Sequence, residues 1–185
     1  IILMFASLVS FSYADLANGS IKNIARQLPH TSSTIISTFI VIGLHNLLFL
    51  AVGSLTNTLG NLMLSGMGMI HFVNDGMALQ AILTLLLKWM LSMALASILM
   101  FVTIGIKNKI LASIVGVIIG TGSLGLAYMG LSTAADTVFR TDGFDLGEFM
   151  PDTLFNAVSV GTNTAVINAV IVSLVCIAIF MTLTV

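Results

Sequence analysis

Charge is what this sequence has least of. Only 7% of its residues are Asp, Glu, Lys or Arg, where a soluble domain of similar length carries roughly a quarter. The few charges fall into short gaps between long apolar runs, and 58% of the chain is apolar. That excludes an ordinary water-soluble fold. Turn chemistry at regular short intervals is missing, and so are ten-residue segments of alternating hydrophobicity, which excludes a transmembrane β-barrel. The single cysteine, Cys176, lies inside an apolar run, so neither a disulfide nor a cysteine metal site is expected, and packing is its role. Catalytic signatures are absent too: there is no G-x-x-x-x-G-K-[ST], no H-E-x-x-H and no G-x-S-x-G, which removes those routes to nucleotide binding, zinc hydrolysis and serine catalysis. No metal, cofactor or nucleic-acid partner of this chain is expected.

What is present are apolar stretches long enough for a bilayer. They run Ile35 to Leu59, Ala78 to Ile106, Ile110 to Leu131 and Ser159 to Val185. Backbone groups in lipid must be satisfied within the segment, so these are predicted to be helices, giving an all-α polytopic helical membrane protein. Ile1 to Ala14 is apolar but too short to cross and reads as the end of a span cut short. The gaps are Asp15 to Thr34, a Gly/Met/Asn-rich stretch from Gly60 to Met77, the tight connection Lys107-Asn108-Lys109, and a polar region from Ser132 to about Val158.

The gaps differ in charge. Residues 15–34 and 107–109 hold four basic residues (Lys22, Arg26, Lys107, Lys109) against Asp15, a net +3. Residues 60–77 and 132–158 hold Arg140 against Asp75, Asp136, Asp142, Asp145, Glu148 and Asp152, a net −5. Basic residues mark cytoplasmic loops, so 15–34 and 107–109 are predicted inside and 60–77 and 132–158 outside. Lys88 lies within a span, yet about twenty residues counted back from Lys107 put the outer boundary near residue 86. The depth favours a snorkelling anchor over a charge in a transport path, and Trp89 beside it suits the aromatic belt.

Candidate site residues are sparse. His30, His45 and His71 fall in three different regions and do not form one site; His71 with Asn74 and Asp75 reads as solvated loop. His45 and Asn46 near the middle of a span either line a polar pathway or make an interhelical hydrogen bond, the commoner use of such residues. Ala112, Gly116 and Gly120 recur at four-residue spacing and form a close-packing face toward another helix, of this chain or of a second copy. In the basic segment, Ser20 suits a helix cap, with Ile21, Ile24, Ala25 and Leu28 along one side, Pro29 as the stop, and Thr31 to Thr34 capping the next span.

That segment carries a resemblance. Asp15, then Asn18-Gly19-Ser20-Ile21-Lys22-Asn23, then Ser33-Thr34-Ile35-Ile36, resembles the loop after the second span of ABC-2 type permeases, the membrane subunits of ATP-binding-cassette exporters. The likeness is specific over about twenty residues and extends loosely to span order, the basic hairpin and the long outer region. Where many relatives have Ser-Arg before the third span, this chain has Leu28-Pro29-His30-Thr31. The resemblance implies a type V exporter-like permease with about five of six spans present. It implies a coupling helix in which Asn18, Gly19, Ser20, Ile21, Lys22, Ile24, Arg26 and Leu28 contact the ATPase, and short re-entrant helices within residues 139–160. ATP and Mg would sit on separate ATPase subunits, with none bound here. A second permease copy or homologue would complete the transporter in a prokaryotic plasma membrane, and hydrophobic or amphipathic cargo, with a lean toward antimicrobial or toxin peptides, would be exported. The rival readings are an ion-gradient-driven secondary transporter and a non-transporting membrane anchor. Apart from His45 no ionisable group lies at mid-depth, which counts against the first.

Overall fold

The computed structural model describes residues 31–65, 77–106, 108–121, 123–139, 145–157 and 163–184. Residues 1–30, with the whole basic segment from Asn18 to Leu28, lie outside the described residues, as do His71, Asp75, Arg140 and Asp142. Among the described residues every regular element is helical. In chain order these are α1 (Thr31–Ser65), α2 (Met77–Ile106), α3 (Lys109–Gly120), α4 (Gly125–Phe139), a 3₁₀ turn (Leu146–Phe149), α5 (Pro151–Ala157) and α6 (Asn163–Thr184). Three are long and apolar enough to cross a membrane, through Ile35–Leu64, Ala78–Ile106 and Val166–Thr184.

The remaining predicted span, third of the four in chain order, takes a different form. The run Ile110–Leu131 is divided between α3 and α4, with the break at 121–124. Thr121 caps α3: its N–H donates to the Val117 carbonyl, and its hydroxyl takes up the Ile118 carbonyl at 3.0 Å and lies 2.6 Å from the Ser123 hydroxyl. Hydroxyl side chains that bind nearby backbone offer the chain an alternative to continuing the helix. The 12 residues of α3 rise only about 18 Å, short of a hydrocarbon core of about 30 Å. Past the break, α4 carries on through Ser132 to Phe139, so the first part of the predicted polar outer region is helix. Likewise α1 runs to Ser65, beyond the predicted end at Leu59, and Thr31 to Thr34 form its first turn instead of preceding it. With no proline between Ile35 and Ser65, nothing in that stretch stops the ladder.

α2 is the hub, packing on α1, α3, α5 and α6. Trp89 and Met93 meet Gly43, Asn46 meets Ser92, and Phe39 packs near Leu95 to Met100, so α1 runs antiparallel to α2. Ser97 lies beside Cys176 and Phe101 beside Phe180, so α6 runs parallel to it. Small side chains let these helices approach: Ala94, Ala96 and Ser97 on α2 and Ala169 and Ser173 on α6 are buried. Their hydroxyls are absorbed within their own helices, Ser97 donating to Ala94 O at 2.7 Å, Thr103 to Leu99 O at 2.6 Å and Ser173 to Ala169 O at 2.6 Å. No polar hydrogen of these groups is left facing an apolar neighbour. The reverse turn from α2 to α3 is set by Asn108, whose Oδ1 accepts from the amides of Ile110 (3.0 Å) and Leu111 (3.3 Å). The outer faces of α1 and α6 are lined with exposed apolar side chains such as Leu48, Val52, Ile171 and Leu174. In water that surface would be untenable; in lipid it is the solvated one.

Gly43 marks the closest approach of α1 to α2. A Cβ there would come within 2.8 Å of Met93 Cε, the mobile end of a flexible side chain, while the Gly43 carbonyl accepts the Trp89 indole N–H at 2.8 Å. Gly43→Ala is therefore expected to be tolerated as Met93 turns aside. Gly43→Leu forces the backbones apart and is expected to cost about 1–3 kcal/mol. Thermal unfolding of the two variants in micelles checks the contrast, which fails if they unfold alike.

Candidate functional site

Between α4 and α6 the chain folds back onto α2. Asp145 Oδ1 accepts the Gly147 amide at 2.8 Å and starts the 3₁₀ turn. Pro151 opens α5, where its missing N–H leaves no bond unmade. Thr153 donates to the carbonyls of Gly147 and of Met150, closing the corner between the two elements. Ser132 ties this unit to α4: its hydroxyl donates to Tyr128 O and accepts the Leu146 amide, both at 2.8 Å. From α5, Leu154 and Phe155 enter a buried cluster with Leu50, Leu87, Leu91, Ala169 and Val172. The short helix is thus seated where α1, α2 and α6 converge.

Two charged groups accompany it. The Lys88 ammonium lies 5.6 Å from the centroid of the Phe155 ring, a cation–π contact between α2 and α5. Asp152, one helical turn before Phe155, is only 2% exposed and accepts a hydrogen bond from the Tyr128 hydroxyl. Burial pushes the Asp152 carboxyl up, partly opposed by hydrogen bonds from the amides of Asp152 and Thr153 and from Tyr128. Beside this pair is a cavity of about 400 Å³ lined by Tyr128, Met129, Ser132, Asp136, Asp145 and Thr153. Among the described residues no three His, Cys, Asp or Glu side chains are grouped to hold a metal.

The residues singled out from sequence fall in separate places. Asn46 is buried and donates to Ser92 Oγ at 3.4 Å, an interhelical contact. His45, the residue before it, points about 100° away round α1 and is exposed, with Phe49 stacked at 6.3 Å between ring centroids. The two therefore do not line one path. Ala112 and Gly116 are buried within this chain, on a helix that packs against α2, with Ile119 of the same helix in a cluster with Leu95, Ala96, Leu99 and Met100. The small-residue face is used internally, and Gly120 closes α3. Cys176 is a half-buried free thiol packed against the α5 cluster. The Tyr128–Asp152 and Lys88–Phe155 pairs were not foreseen. Their one sequence signal is Pro151-Asp152, a helix-opening proline followed by an acid in the first turn, which locates α5 without saying what it meets.

Comparison of the chain with family models, curated proteins and solved structures gives no match.

Because the folded state raises the Asp152 carboxyl, it holds that proton more tightly than the unfolded chain. Its contribution is complete at low pH and is lost as pH rises through and above the ordinary carboxylate range near 4. Asp152→Asn, which keeps an acceptor for Tyr128, is expected to raise the melting temperature at pH 7 and to leave it nearly unchanged at pH 4. Equal shifts at the two pH values would mean that ionisation of Asp152 does not oppose folding.

Proposed function

We propose that this chain is a permease subunit of an ATP-driven exporter of the ABC-2 type, a multi-pass protein of a prokaryotic plasma membrane that moves hydrophobic or amphipathic cargo with ATP hydrolysed by separate subunits. The observation that carries this reading is the segment from Asp15 through Asn18-Gly19-Ser20-Ile21-Lys22-Asn23, which lies between apolar runs and has the basic bias of a cytoplasmic loop. Further support comes from the helix directions. The start of α1, the end of α2 and the end of α6 share one side, which carries Asn108, the residue between the two lysines of the basic connection in sequence, while the acidic unit around α5 sits toward the other.

Contacts support the anchoring role of Lys88. It follows Leu87 of the buried cluster that α5 enters and lies over the Phe155 ring of α5, on the side that carries the acidic unit. There an ammonium over an aromatic ring reaches the interface with its stem in lipid. A mid-depth ion relay, as a gradient-driven transporter needs, finds no support at this position.

Two tests follow. With Cys176 replaced, an impermeant thiol reagent added outside is expected to label a cysteine at position 145 and to spare one at 108; the reverse pattern would invert the topology. The functional test addresses coupling. Ile21 and Ile24 would insert into a groove on the ATPase, where a few anchors carry most of the energy. In proteoliposomes holding permease and ATPase, Ile21→Ala/Ile24→Ala is expected to abolish cargo export and cargo-stimulated ATP hydrolysis while insertion stays normal. Full export by the double variant would remove this segment from the transmission of the stroke.

A further inference from the structure

α5 is the least self-sufficient helix of the fold. Its seven residues are too few to hold a helix by their own hydrogen bonds, so it stands on what it touches. Three contacts with the other helices carry it. Leu154 and Phe155 are buried among Leu50, Leu87, Leu91, Ala169 and Val172, the Lys88 ammonium lies over the Phe155 ring, and the Tyr128 hydroxyl of α4 donates to Asp152. The rest of the bundle does not need it. A second buried cluster, formed by Leu95, Ala96, Leu99, Met100 and Ile119 with Phe39 and Met181 against it, joins α1, α2, α3 and α6 and contains no residue of α5. An element held in this way opens at lower free energy than the body that carries it.

One of the three contacts changes with protonation. Asp152 is almost wholly buried, and burial disfavours a carboxylate far more than a neutral carboxyl. The charged form also has somewhere to go. The cavity of about 400 Å³ next to the pair is lined by Tyr128 and by Thr153, the residue after Asp152, together with Ser132, Asp136 and Asp145, so it is polar and roomy enough for water. A turn of the first residues of α5 toward it trades burial of the charge for hydration. Among the described residues, the ionisable groups of the elements around α5 are Tyr128 and Asp136 on α4, Asp145 and Glu148 on the 3₁₀ turn, Lys88 on α2, Cys176 on α6 and the exposed His45 on α1. Three of these are acids, which disfavour another negative charge beside them, and Lys88 is engaged over Phe155. Burial outweighs the hydrogen bonds that favour the carboxylate, from Tyr128 and from the amides of Asp152 and Thr153.

We infer that Asp152 and Tyr128 form a proton-operated latch between α5 and α4: with its proton Asp152 stays buried and α5 stays seated, and without it the first turn of α5 moves into the cavity and draws Leu154 and Phe155 out of their cluster. The medium that reaches the cavity sets the latch. It is closed at low pH and releases as pH rises through and above the ordinary carboxylate range of about 4. The opening is local, because α1, α2 and α6 remain packed through the second cluster. Neither ATPase nor cargo takes part in it, so the latch and the export reading stand or fall separately.

The test uses the full chain in micelles. Trp89, the one tryptophan of the sequence, is a built-in reporter, since it packs against the cluster that α5 enters. Its emission is expected to move to longer wavelength between pH 4 and pH 7 in the native chain and to stay fixed in Asp152→Asn, which keeps an acceptor for Tyr128 but takes no charge. A second reading follows a buried side chain directly. With Cys176→Ser, labelling of Leu154→Cys, divided by that of the exposed control Val138→Cys to cancel the response of the thiol itself to pH, is expected to rise several-fold over the same interval and to stay flat once Asp152→Asn is added. Asp136→Asn, which removes an acid from the cavity wall and leaves the pair intact, is expected to keep both responses. Trp89 needs no substitution, so its emission decides the matter even if Leu154→Cys unseats α5 by itself. Constant Trp89 emission in the native chain, a response that survives Asp152→Asn, or one that is lost with Asp136→Asn would overturn the latch.

Discussion

Everything described here depends on how closely α2 can be approached. Apolar side chains gain little from leaving lipid for a protein interior, so helices in a membrane associate through dispersion contacts and a few hydrogen bonds. Those forces reach only a few ångströms. Along its inner half α2 is buried nearly all round, from Leu91 to Ser97 without a break, and much of that stretch is alanine or serine. Larger residues there would leave α1, α3 and α6 as separate rods. The same closeness explains why serines can stand in such a place: each hydroxyl is satisfied by a carbonyl of its own helix before a neighbour arrives, so the faces that meet present oxygen lone pairs and methylene groups.

The hydropathy of the chain made α1, α2 and α6 legible, because a run of about twenty apolar residues and a helix that crosses lipid are the same physical statement. It did not resolve the run Ile110–Leu131. A hydropathy average treats Thr121 and Ser123 as mildly polar members of an apolar stretch, whereas their hydroxyls end one helix and leave room for another to start. Gly120-Thr121-Gly122-Ser123 is a cluster of turn residues, and the apolar flanks hide it from such an average. The spacing of Ala112, Gly116 and Gly120 identified a packing face; which helix fills it is a tertiary fact that spacing does not hold. The same limit separates His45 from Asn46. Adjacent residues on a helix point about 100° apart, so of two neighbouring polar residues one faces α2 and the other faces away, and only the position of α2 decides which.

Least legible was the unit around α5. Its residues read as a polar outer loop because Asp142, Asp145, Glu148 and Asp152 dominate the count, yet Leu154 and Phe155 are buried in a core cluster. Seven residues are too few for periodicity to speak, and the pairing of Tyr128 with Asp152 joins parts of the chain that no local pattern connects. The cytoplasmic segment stands the other way round: its sequence is the most informative of all, and the proposed role of the protein rests on it.

The distribution of hydrogen bonds among the three long helices divides them mechanically. α1 and α2 are fastened by the indole of Trp89 to the Gly43 carbonyl at 2.8 Å, a directional link that resists sliding and rotation, with a longer contact of 3.4 Å between Asn46 and Ser92. Between α2 and α6 the one such link among the described residues is Ser97 with the Cys176 carbonyl at 3.5 Å, at the limit of a hydrogen bond; the rest is smooth contact of small and branched side chains. The α2–α6 surface is therefore held by close packing alone over almost its whole length, whereas the α1–α2 surface adds the Trp89 indole, a bond that fixes one helix against the other in a single register.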